Sequence, residues 1–86
     1  MGKAGQALQQ TLKTYGISQN KLAVTIGVER WMVFRWFHEK ADPTGETIVE
    51  IVKALKEIEP TAAKTFINLY LGDLVEDEDQ PTQESR

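Results

Sequence analysis

Four residues in one short stretch carry most of the chemistry this chain can offer a partner: Arg30, Trp31, Phe34 and Arg35. At about 100° per residue they fall on one side of an α-helix, while Val33 and Trp36 fall on the other and are expected in the core. Each guanidinium can donate to both acceptors of a guanine edge at once, and the two rings can make apolar contact with thymine methyl groups or sugars. A helix over residues 29–37 that buries two large groups and exposes two aromatics and two arginines calls for a partner. The major groove of DNA has the matching chemistry.

No rival chemistry is legible. The chain has no cysteine, so neither a disulfide framework nor a thiolate metal site can form. The one histidine, His38, has no second ligand or nucleophile beside it and reads as a loop residue near a phosphate or in plain solvent. Without paired carboxylates or a nucleophile–base pair, no catalytic residue, metal or cofactor is expected, and the chain is not read as an enzyme.

The 86 residues have room for one domain with a modest core, which short helices making local contacts can build. The opening MGKAGQ lacks an apolar run, so no secretory signal is expected. No apolar segment approaches the length needed to span a bilayer, and a cytoplasmic protein is expected, nucleoid-associated if bacterial. The net charge of −3 is unevenly spread. Residues 1–75 hold nine bases against eight acids, whereas residues 76–86 hold five acids against Arg86 alone. The domain, residues 1–72, is therefore near neutral, and residues 73–86 read as a disordered acidic tail that is either plain solvated chain or a competitor for a basic surface.

The elements that must position the four residues follow from periodicity. Ala4, Leu8, Leu12 and Tyr15 give a first amphipathic helix that Gly16 stops. Ser18 is a favourable N-cap for a second, with Ile17 and Leu22 at the spacing of a hydrophobic staple and Leu22, Ala23 and Ile26 facing inward. Gly27 supplies the left-handed turn into the third helix. Residues 38–43 form a loop, and Thr44 caps a fourth helix whose Ile48, Ile51, Val52, Leu55 and Ile58 follow helical spacing. Pro60 opens a fifth, largely apolar helix that ends at Gly72. The fold class is all-α, five short helices.

Ser18-Gln19, Leu22-Ala23, Gly27-Val28, Val33, Trp36, Pro43-Thr44 and residues 51–55, in this order, resemble the lambda-repressor and Cro type of helix-turn-helix domain over about residues 8–55. The resemblance implies that the second helix crosses the DNA backbone and residues 29–37 form the recognition helix in the major groove. Arg30, Trp31, Phe34 and Arg35 then become candidate base contacts. Gln19 matches the glutamine that begins the preceding helix, where its side chain and free N–H groups can hold a phosphate. Lys21 and Lys40 are further phosphate candidates, or else ordinary surface lysines. The common pattern often has Ser, Ser and Glu where this chain has Glu29, Phe34 and Phe37. Trp31 and Phe34 either touch DNA or pack on the fourth helix or a second copy. Phe66, Leu69 and Tyr70 exceed what one small domain readily hides, and a homodimer through them is expected. The implied function is a repressor-like, sequence-specific transcription regulator. The alternative is a protein–protein interaction module using Trp31, Phe34 and Phe37.

Overall fold

Helix α1 (Lys3–Tyr15) is followed by α2 (Gln19–Ile26), α3 (Arg30–Phe37), α4 (Gly45–Ile58) and α5 (Pro60–Asp79) in a computed structural model. It describes the backbone of residues 3–79 and the side chains of residues 3–72, and no strand occurs among them.

The first three helices end in the same way. Behind α1, Ile17 N–H reaches back to the Leu12 carbonyl at 2.9 Å across Gly16, whose φ is +64°. Behind α2, Gly27 at φ +93° lets its own N–H and that of Val28 share the Ala23 carbonyl, at 2.8 and 3.0 Å. Behind α3, Lys40 N–H bonds the Arg35 carbonyl at 2.8 Å across Glu39, the one non-glycine described at positive φ, +58°. Such six-to-one closures satisfy carbonyls that the helix itself leaves unpaired. The starts are capped as their side chains dictate: Ser18 Oγ accepts from Lys21 N–H at 2.9 Å, and Thr44 Oγ1 from Thr47 N–H at 3.2 Å.

Every helix contributes to one core. Leu8 and Leu12 of α1, Leu22 of α2, Val33 and Trp36 of α3, Ile51 and Leu55 of α4, and Phe66 of α5 are its large buried members. Ala62 and Ala63 let α5 approach its neighbours closely, and the Tyr15 hydroxyl meets Thr65 Oγ1 at 2.7 Å to tie α1 to α5. Among the described residues one buried side-chain oxygen, Thr11 Oγ1, lacks a hydrogen-bond partner. An unpaired buried hydroxyl costs about 1–3 kcal/mol, so Thr11→Val should stabilise the fold by about 1 kcal/mol and raise the thermal midpoint by several degrees. A lowered midpoint in a calorimetric scan would show the hydroxyl to be satisfied.

Two expectations for the fifth helix need correction. Phe66 is fully buried, stacked on Tyr70 with ring centroids 5.9 Å apart, so it belongs to the core and offers no area to a second copy. Leu69 and Tyr70 are half-buried against that core. Among the described side chains of α5 the exposed large apolar groups are Ile67 and Leu71, at 40% and 41%. Nor does the helix stop at Gly72, which has no positive φ and lies inside a helix running to Asp79. Glycine within a helix costs only about 1 kcal/mol, and no proline follows until Pro81. The remainder of the expected acidic tail, residues 80–86, lies outside the described residues.

Candidate nucleic-acid interface

Helix α3 is held by its inner side. Val33 and Trp36 are buried, Met32 and Phe37 are half-buried on either flank, and the other four residues of the helix face outward. Trp31 is 57% exposed and Phe34 47%, with Arg30 and Arg35 exposed beside them. Neither aromatic is packed away on α4, so the sequence-level alternative of intramolecular burial does not hold for them.

The axial position of α3 is set from α1, by residues whose role is invisible in the sequence pattern. Gln9 Nε2 donates to the Phe37 carbonyl at 2.6 Å, satisfying one of the carbonyls at the C-terminal end of α3. Gly5 lies against the same end: a Cβ placed there would come within 2.7 Å of the Trp36 carbonyl oxygen and 2.9 Å of Glu39 Cγ. The left-handed backbone at Glu39 keeps the chain in that close approach. In an ordinary helix interior Gly→Ala is favourable by roughly 1 kcal/mol, but here the obstacle includes backbone, so the sign reverses. Gly5→Ala should therefore lower stability by about 1–3 kcal/mol. Chemical denaturation checks this, and a gain in stability would mean that α3 is not seated on Gly5.

The structure brings four of the seven candidate DNA contacts together. Gln19, at the start of α2, lines one open cleft with Arg30, Trp31, Phe34 and Glu29. Glu29 takes the N-cap position of α3 but makes no side-chain capping bond, so its carboxylate remains available. Phe34 is braced from behind, since its ring lies 4.2 Å from that of His38, which in turn lies 5.1 Å from Phe37. His38 thus acts in the structure as a link between an exposed ring and one packed on the core. Arg35 is exposed on the far side of Trp31, and Lys40 is exposed just past the C-terminal end of α3. Lys21 is turned elsewhere: it lines depressions with Val24, Thr25, Glu57 and Ile58, against the end of α4. Residue 21 lies about 200° around α2 from Gln19, which accounts for the separation.

The geometry of two short helices joined at a left-handed glycine, the second showing a polar and aromatic face, coincides with a family match. The helix-turn-helix family profile matches residues 8–61, well over half of the chain. This chain belongs to the helix-turn-helix family, of the XRE and lambda-repressor type. In helix-turn-helix terms α2 and α3 are the paired helices of a DNA-binding domain, and the all-α fold agrees with that assignment. Members of this family are generally transcription regulators and typically lack enzymatic activity. Most of α5 lies beyond the matched span. No curated protein and no solved structure matches the chain. Among the described residues no helix is long and apolar enough to cross a membrane.

Proposed function

We propose that this helix-turn-helix protein is a sequence-specific, repressor-like transcription regulator that lays α3 in the major groove and acts as a homodimer in the cytoplasm or on the nucleoid. The observation that carries the reading is the exposed face of α3, where Arg30 and Arg35 flank two aromatics and Gln19 joins them from the start of α2. Arginine forks suit guanine edges, and Gln19 sits where side chain and unpaired backbone N–H groups at a helix start can bind a phosphate. Lys40 extends the phosphate-facing rim. Lys21 faces a different side and would reach a phosphate only on a path that passes the α2–α4 edge.

A dimer supplies what the near-neutral module lacks. Few phosphates can be neutralised by one copy, so binding by one copy is weak, and two copies reading half-sites about 34 Å apart add their contacts. The exposed pair Ile67 and Leu71, one helical turn apart on α5 and flanked on one side by the half-buried Tyr70, is the surface through which the copies would meet.

Selection of binders from a random duplex pool by the full chain, followed by sequencing, tests the reading. Enrichment of one motif, with affinity falling as salt rises, is the expected result. The second reading, a protein-interaction module, draws on the exposure of Trp31 and Phe34, while Phe37 is largely taken up by the core. A pool left unenriched, together with loss of a protein partner on Trp31→Ala, would favour that module.

A further inference from the structure

The outward face of α3 has an internal order. Taking Arg30 as zero and about 100° per residue, Phe34 lies at about 40°, Trp31 at about 100° and Arg35 at about 140°. The buried pair, Trp36 and Val33, is centred at about 270° on the same scale, so the direction facing away from the core is about 90°. Trp31 therefore lies nearest the outward direction, Phe34 and Arg35 lie about 50° to either side of it, and Arg30 lies about 90° away at one edge.

A helix docked by this face puts the Trp31 ring at the floor of the groove, with the Phe34 ring on one flank of it and the Arg35 guanidinium on the other. The floor of the major groove offers little that is apolar. Its one such group is the C5 methyl of a pyrimidine, carried by thymine and absent from unmodified cytosine. The edges, in contrast, meet guanine acceptors at either end of the contacted step or the phosphates of the two groove walls, where positive charge is complementary. Phe34 is preset for such a contact, because His38 braces its ring and Phe37 anchors His38 to the core. An aromatic already held in place loses little freedom on binding. Residues 31 and 34 are about 4.5 Å apart along the helix axis, close to one base step of ~3.4 Å, so the two rings can serve neighbouring base pairs.

We infer that Trp31 and Phe34 make this protein a reader of C5-methylated pyrimidines at one or two adjacent positions of its site, with Arg30 and Arg35 gripping either side. The inference rests on the DNA-binding reading above and adds the chemical feature that is read.

The test begins with the site enriched from a random pool by the full chain. Each thymine is then replaced in turn by uracil, which removes the methyl and leaves the hydrogen-bonding groups in place. At one or two adjacent positions affinity should fall about fourfold each, the effect of one apolar carbon left unburied. Phe34→Ala and Trp31→Ala should each abolish that difference at the position the lost ring reads, so that thymine and uracil bind alike there. Both side chains are exposed, and the uracil comparison with the unaltered protein stands even if a variant misfolds. Placing cytosine and then 5-methylcytosine at the same positions distinguishes the two sources of the methyl group. Recovery with 5-methylcytosine admits both pyrimidines and lack of it restricts the reader to thymine, and either upholds the inference. Equal binding of the thymine and uracil forms at every position overturns it while leaving DNA binding intact. A pool that shows no enrichment removes the DNA-binding reading, and this inference with it.

Discussion

Replacing Arg30 and Arg35 together by alanine is expected to weaken specific DNA binding by about 30-fold or more and to leave the fold unchanged. Both side chains are exposed, and neither the core nor the hydrogen bonds that seat α3 depend on them. Each guanidinium placed bidentately on guanine is worth ~1–3 kcal/mol of discrimination. The two lie on opposite edges of the face, too far around the helix to share a partner, so their losses should add. At the lower limit, ~2 kcal/mol, the chosen site binds about 30-fold more weakly, and at the upper limit binding falls to the non-specific level. Circular dichroism should be superimposable on that of the unaltered chain. If instead the arginines grip only phosphates, affinity falls evenly for all sequences and the salt dependence becomes shallower. Unchanged specific binding would remove α3 as the recognition helix.

The largest effect on stability is expected from Phe66→Ala, at about 3–5 kcal/mol. Phe66 is fully enclosed by the cluster that α1, α4 and α5 share, and truncation leaves a cavity that well-packed neighbours cannot collapse to fill. Total stabilities of small domains are about 5–15 kcal/mol, so the variant should be close to unfolding at physiological temperature. The loss should be the same at low and high protein concentration, as a core defect requires. Ile67→Asp with Leu71→Asp is the contrasting pair: these exposed positions should leave monomer stability within about 0.5 kcal/mol each and abolish self-association in sedimentation. Phe66→Ala with full stability and a lost dimer would reverse the two assignments.

The contrast between these residues shows where the sequence is informative. Ser18, Gly27 and Thr44 were legible because capping and left-handed turns are local requirements met by particular side chains, and the bonds they make are the ones expected. The division of α3 was legible too, since a helix with two clear inner residues leaves its outer residues by subtraction. The fifth helix was not. The apolar residues at 66, 67, 69, 70 and 71 spread over about 200° of it, more than one face, so periodicity does not separate the inner Phe66 from the outer Ile67 and Leu71. Gly72 resembles a stop only in the sequence, because the glycine that closes a helix does so by turning to positive φ and Gly72 does not. The seat of α3 on α1 was hidden altogether. Gly5, Gln9 and Glu39 are far apart in the chain or lack a signature: Gln9 reaches a backbone carbonyl 28 residues away, and glutamate at a left-handed position follows no common rule. What the sequence did not carry was non-local packing, which fixes how far α3 stands out and therefore which of its side chains can reach a groove.

The two tryptophans give the central claim its most direct measurement. Trp31 lies on the exposed face of α3 and Trp36 is buried behind it, so their indole N–H resonances report on opposite sides of one helix. On titration of the isotopically labelled chain with the selected duplex, the Trp31 indole and the amides of Arg30, Phe34, Arg35 and Gln19 should shift most, with the Trp36 indole nearly still. Shifts concentrated at Ile67 and Leu71 of α5, with the Trp31 indole unmoved, would contradict the assignment of α3 as the helix that reads DNA.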